Sequence, residues 1–230
     1  MPMRTREDFP IMPLNTVLFP GAPATVYIHE QRYRDMLDEC LEHDGLFGVA
    51  LLRAGREVGG PAIPHDIGTV ARVAEVTRLP DGSSMVLVQG GPRFRIDTVQ
   101  RAMPVLRADV VLLEDSAAIV PADEAVIVTA REQLKELMRL VMAMMGAHGV
   151  EPEVPEDPVD LSYAIAANLQ TSFQMQQEML EATSLAGRLE MALPLLGQEI
   201  AHYRVLAAAR DKLESLGLVD ESEDVPFSRN

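Results

Sequence analysis

With 230 residues, 47% hydrophobic side chains and a formal charge of −15, the chain has material for one large domain or two of about 100 residues each. It has no uninterrupted apolar run of about 18 residues, and the start, MPMRTREDFP, has no apolar leader core, so a soluble globular protein is expected rather than a membrane span or a secretory precursor. Acidity argues against general nucleic-acid binding, which draws its affinity from Lys and Arg on phosphates. Cys40, the only cysteine, leaves no internal disulfide and fits a reducing cytoplasm.

Residues 9–21, FPIMPLNTVLFPG, place short apolar runs between prolines in a way no helix tolerates. They predict an irregular strand and turn at a sheet edge, where proline is tolerated. ATVYIH at 24–29 is a short strand candidate. From Gln31 to His43, Tyr33, Met36, Leu37, Cys40 and Leu41 make one buried helical stripe, with Cys40 as a small hydrophobe. LFGVALL at 46–52 has strand length, and residues 53–66 read as a long loop. TVARVAEVTRL and SSMVLVQGG, joined by Pro80-Asp81-Gly82, predict a hairpin. Met85 and Leu87 alternate with Val86 and Val88, which implies a strand covered on both faces. Gly90-Gly91-Pro92 marks a bulge or bend, and residues 105–113 complete about six strands.

Near Pro121 the pattern becomes helical, and the charge shifts with it: residues 1–120 carry 12 basic and 16 acidic side chains, residues 121–230 carry 8 and 19. Leu134, Leu137, Met138, Val141 and Met145 form one stripe. An acidic, proline-rich loop follows, and Asp157-Pro158 is an N-cap with proline at the first helical position. Leu161, Ile165 and Leu169 then stack at i+4. Thr171 with Gln174 reads as a capping box. A long helix from about Leu185 to Leu216 carries Leu189, Leu193, Leu196, Ile200 and Tyr203, with a kink expected at Pro194. The reading is α+β: a β-rich unit over 1–120 with one inserted helix, an all-α bundle over 121–217, and a disordered acidic tail over 218–230.

These motifs carry a likeness. PLNTVLFPGA looks like the P-L-x-x-V-x-F-P-G/H opening of the N-terminal substrate-binding region of the Lon protease family. IHEQRYRDML is similar to its I-F-E-x-R-Y-x-x-M-L, and GTVARVAEVTRLPDGSSMVLVQGGPRFRI resembles its hairpin. EDPVDLSYAIAANLQTSFQMQQEMLEATSLAGRLEMAL is similar to the segment that joins this region to the ATPase in full-length Lon. The likeness covers residues 9 to about 206. Departures are Pro194, in a helix the family usually keeps unbroken, and His29 and Gln31 beside the E-x-R-Y motif. The resemblance implies a six-stranded, PUA-like β pseudo-barrel followed by a helical bundle, engaged in binding unfolded or tagged polypeptides. The sequence contains no G-x-x-x-x-G-K-[ST] loop, and Lys135 and Lys212, the only lysines, lie outside any peptidase-like motif. A stand-alone homologue lacking the ATPase and peptidase domains is therefore expected.

Among individual residues, Glu30, Arg32 and Tyr33 open a helix, which favours a capping and orienting role. Arg93 and Arg95 share one strand face, read mainly as solvated, with Phe94 on the other. The five histidines show no ligand spacing, and the prolines around Glu151, Glu153, Glu156 and Asp157 hold those carboxylates apart, so neither metal nor cofactor is expected. Met138 and Met145 are assigned to the core, Met142 and Met144 to an exposed patch.

The expected function is non-catalytic capture of unfolded or degron-bearing segments in an apolar groove between the β unit and the bundle, in the cytoplasm and without nucleic acid or membrane. The candidate binding residues are Phe19, Pro20, Tyr33, Arg93, Phe94, Met142 and Met144. An ATPase or protease acting in trans is a further candidate partner, and the oligomeric state is open. The alternatives are a hydrolase using Glu30, His65 or Asp66, and an RNA-binding barrel using Arg72, Arg78, Arg93 and Arg95.

Overall fold

Among the described residues, seven strands precede four of the five helices. The computed structural model describes residues 4–57, 59, 62–114, 122–147 and 149–215. Strands β1 (Thr5–Leu14) and β2 (Pro23–Ile28) lead into helix α1 (Gln31–Leu41). Strands β3 (Leu46–Gly55), β4 (Ala62–Pro64), β5 (Ile67–Arg78), β6 (Ser84–Arg101) and β7 (Leu106–Leu112) follow. Helices α2 (Glu124–Met144), α3 (Pro158–Asn168), α4 (Phe173–Glu181) and α5 (Leu185–Ser215) complete the chain. The expected tail over 218–230, His148 and Pro121 lie outside the described residues.

The strand order β1-β7-β6-β5-β3 closes on itself, because β1 also pairs with β3 in parallel. The opening segment is thus the strand that closes the barrel, not an edge. Its prolines are tolerated because β1 changes neighbour along its length: residues 5–11 lie against β7 and residues 11–14 against β3. Each half keeps one side without a ladder, where a missing N–H costs nothing. The seventh strand beyond the expected six is β4, which folds back on an extended β3 inside the stretch read as loop.

Alternation along the barrel strands feeds two apolar clusters. Ile11, Ala50 and Val70 enter one with Phe94; their neighbours Met12, Val49 and Ala71 enter the other with Tyr33, Met36, Leu37 and Cys40 of α1. Leu41, at the margin of that stripe, is exposed instead. The hairpin turn forms as expected, with Gly82 at φ 81° and the Asp81 carboxylate accepting from the Ser83 amide and hydroxyl. One face of the returning strand is not covered, however: Met85 and Leu87 are exposed, beside Tyr27 on β2, while Val86 and Val88 are buried. Among the described residues, none covers β2 and the first half of β6 on that side as α1 does on the other.

The helices build a third cluster from Leu134, Leu161, Ile165, Met179, Leu189 and Leu196. Asp157 caps α3 through the amides of Val159 and Asp160, with Pro158 at the first helical turn. The cap of α4 is Ser172, one residue beyond the expected Thr171. Helix α5 continues through the exposed Pro194. Met145, assigned to the core stripe, is 80% exposed because α2 ends at Met144 and the chain turns out at Gly146. Among the described residues, no helix is long and apolar enough to cross a membrane.

Polar contacts fasten α4 to the barrel. Gln177, fully buried, donates to the Ile67 carbonyl at 3.0 Å. Arg93 on β6 donates to the carbonyls of Leu180 and Ala182, and His65 Nδ1 lies 3.4 Å from Glu181. Arg188 of α5, 1% exposed, stacks 3.7 Å from the Tyr163 ring centre and donates to Met179 and Ala182 carbonyls, Ser162 Oγ and Tyr163 OH. Two guanidinium groups thereby satisfy carbonyls that the end of α4 would leave bare.

Candidate functional site

Where the barrel meets the helices, a cleft of ≈ 690 Å³ opens, within the roughly 300–1,000 Å³ range of ligand pockets. Residues 16–24, the link between β1 and β2 with the first two residues of β2, form one wall. The other is made by Leu134 and Met138 of α2, Ala164 and Ala167 of α3, Phe173 and Gln176 of α4, and the loop residues Glu153, Val154 and Pro155.

The first wall is built by local chemistry. Phe19-Pro20-Gly21-Ala22 is a turn closed by the Ala22 amide on the Phe19 carbonyl at 3.1 Å, with Gly21 at φ 75°. Proline at the second position and a left-handed glycine at the third are what a type II turn requires. Gly90 of β6 receives this turn: its amide donates to the Ala22 carbonyl at 2.8 Å and its carbonyl accepts from the Gly21 amide at 2.9 Å. A Cβ on Gly90 would overlap the Phe19 carbonyl oxygen, so the close approach needs glycine there. Thr69 Oγ1 adds a bond to the Leu18 carbonyl at 2.6 Å.

The second wall depends on two arginines of α2. Arg131 donates to the carbonyls of Pro155 and Glu156 at 2.7 and 2.9 Å, and Arg139 makes a two-pronged pair with Glu151 at 3.0 and 2.6 Å. The hydrogen bond from Arg139 holds the Glu151 carboxyl below its ordinary range. Ala164 and Ala167 are only part-buried, and their small side chains leave the space that the cleft occupies.

The candidate residues separate on this frame. Phe19 lines the cleft with its ring otherwise sunk in the helical core, tilted against Tyr163 at 6.4 Å, and Pro20 lies half-buried beside it. Tyr33 lies on the buried face of α1, where desolvation raises its phenol pKa and Arg32 stacks at 4.4 Å. Phe94 is fully buried, edge-on to Phe9 at 6.1 Å. Arg93, read mainly as a solvated strand residue, is 4% exposed because α4 covers it, whereas Arg95 on the same face is exposed. Met142 and Met144 are half-buried near the end of α2, outside the cleft. Sequence reasoning missed Met138, Ala164, Ala167 and Phe173; the legible signal was two alanines at i, i+3 followed by an aromatic in a helix's first turn.

Of the residues of the alternative readings, Glu30, His65, Arg78 and Arg93 are held in contacts, while Arg72 and Arg95 are exposed. Glu30 pairs with Arg32 at 3.1 Å and accepts from the Gly59 amide at 3.2 Å; it occupies the N-cap position of α1 without a side-chain cap bond. Asp66 is exposed, and its carbonyl accepts from the Ile96 amide. Arg78 is ion-paired with Asp38. Among the described residues, no three His, Cys, Asp or Glu side chains gather as a metal site.

The ATP-dependent protease La (LON) substrate-binding domain family matches residues 8–198. The chain belongs to this family. It is similar to the Lon protease of Anaeromyxobacter dehalogenans, 28% identical over 201 residues that make up 84% of this chain and 24% of that protein. Lon protease 2 of Desulfotalea psychrophila is 31% identical over 199 residues, 84% of this chain and 25% of its own length. The chain thus spans about a quarter of the length of these Lon relatives. The fold matches the crystal structure of a Lon N-terminal domain protein from Xanthomonas campestris, with TM-score 0.61, 22% identity, and coverage of 84% of this chain and 98% of that one. The N-terminal domain of Mycobacterium avium complex Lon protease aligns with TM-score 0.57 and 18% identity over the same shares. The Lon substrate-binding fold is therefore that of this chain, and substrate recognition is its family role.

Proposed function

We propose that this Lon-type domain captures an extended or unfolded polypeptide segment in the cleft between residues 16–24 and helices α2 to α4, without catalysing a reaction on it. The observation that carries the reading is the cleft itself: an apolar trough of ≈ 690 Å³ with Phe19, Pro20, Leu134, Met138 and Phe173 around it, in a chain of a substrate-binding family. Apolar side chains of an unfolded segment gain about 25 cal/mol per Å² of surface removed from water, and an extended backbone presents them without a folded partner. The β-rich unit over 1–120 and the bundle over 121–217 act as the two jaws. Delivery of degron-bearing clients to an ATPase or protease in trans, in the cytoplasm, extends the same role.

Titration of the chain into a fluorescein-labelled, permanently unfolded polypeptide, followed by anisotropy, tests the proposal. Saturable binding at micromolar concentration is expected, resistant to salt because the contact is mainly apolar. Ala167→Trp, which fills the cleft, weakens it by about tenfold or more, the scale of one well-placed contact, while circular dichroism stays unchanged. Absence of saturable binding, or full affinity in a folded Ala167→Trp protein, contradicts the proposal.

A further inference from the structure

The cleft carries one sign of charge. Among the side chains lining it, the ionisable ones are Glu153 and Asp160, both acidic and both exposed. Thr16, Asn168 and Gln176 add only neutral polar groups. The two arginines that reach this wall are outside the lining and directed into the loop, Arg131 onto the Pro155 and Glu156 carbonyls and Arg139 onto Glu151. A concave apolar wall under charge of one sign concentrates that potential at its mouth.

We infer that the cleft prefers apolar segments flanked by Lys or Arg over equally apolar segments flanked by Asp or Glu. This rests on the capture reading above and names the class of segment captured. The apolar residues seat against Leu134, Met138 and Phe173, while the flanking ammonium or guanidinium group reaches Glu153 or Asp160. A flanking carboxylate at the same place meets like charge, which discriminates against it. Exposed ion pairs are weak and screened by salt, so the preference is graded and fades with ionic strength, whereas the apolar contact persists.

Two fluorescein-labelled peptides with one shared apolar core, one flanked by lysines and the other by glutamates, test this by anisotropy against the full chain. At ~20 mM salt the lysine-flanked peptide binds about three- to tenfold more tightly, the scale of one or two exposed charge pairs. At ~500 mM, where the screening length is about 4 Å, the two affinities converge. Glu153→Gln with Asp160→Asn abolishes the low-salt difference. Because Asp160 lies in the first turn of α3, where its charge favours the helix, Glu153→Gln alone is measured as well and reduces the difference. Equal affinities at low salt overturn the charge preference and leave capture standing. A preference that survives in the double variant also overturns it, since the selectivity then lies elsewhere on the acidic surface. If neither peptide binds at any salt concentration, capture and preference fall together.

Discussion

Arg188 shows how a single residue can decide a junction. It sits beside Leu189 in a helical stretch where an arginine ordinarily reaches solvent, yet it is fully enclosed and donates to four oxygen atoms around the end of α4. Arg188→Met keeps the volume and strands those acceptors, so a loss of about 3 kcal/mol is expected, seen as a lower urea midpoint at unchanged slope. Sequence periodicity could not reveal this, because the partners come from α3 and the end of α4, which meet α5 only in the fold. Cys40 was legible by contrast, as its place on an apolar stripe already implied burial. Burial pushes its thiol pKa up to about 11 from 9.0, so at pH 8 it should react with a thiol reagent only after denaturation. Since the folded pKa is raised, the protonated thiol's contribution to stability is complete below pH 9 and is lost as the pH climbs through about 11. Rapid labelling of the native protein at pH 8 would contradict this placement.

At the scale of elements, the wall formed by residues 16–24 depends on the backbone of β6. Gly90→Ala drives a methyl group into the Phe19 carbonyl oxygen, and overpacking of this kind costs about 1–3 kcal/mol. The expected result is a lower thermal midpoint together with weaker peptide binding, because the turn is displaced from the cleft. Unchanged binding would separate the turn from the site. Most elements were legible because their signals are local: the Asp157-Pro158 start of α3, the Pro80-Asp81-Gly82 hairpin, and the stripe on α1. What escaped depends on distant neighbours. The role of β1 as barrel closure follows from pairing with β3 and β7, and a proline-broken segment looks like an edge until those pairings are known. Likewise, the apolar face of Met85 and Leu87 promised a cover that the fold does not supply.

For the molecule as a whole, barrel and helices share structure at their contact. Phe19 leaves the β side to join the helical core, and Arg93 and Gln177 bind backbone carbonyls across the joint. Of the candidate site, Phe19 and Pro20 were legible from the opening motif, whereas the opposite wall is assembled from three helices and a loop that sequence distance kept apart. The surface that competes with this cleft for an unfolded segment is the exposed patch of Tyr27, Met85 and Leu87. The most direct measurement is photo-crosslinking of an unfolded polypeptide probe bearing a photoreactive group, with the adducts located by mass spectrometry. Adducts concentrated on residues 16–24 and on 164–176 are predicted. Adducts concentrated on Tyr27, Met85 and Leu87, with the cleft residues unmodified, would place capture on the β2–β6 face and rule out the cleft.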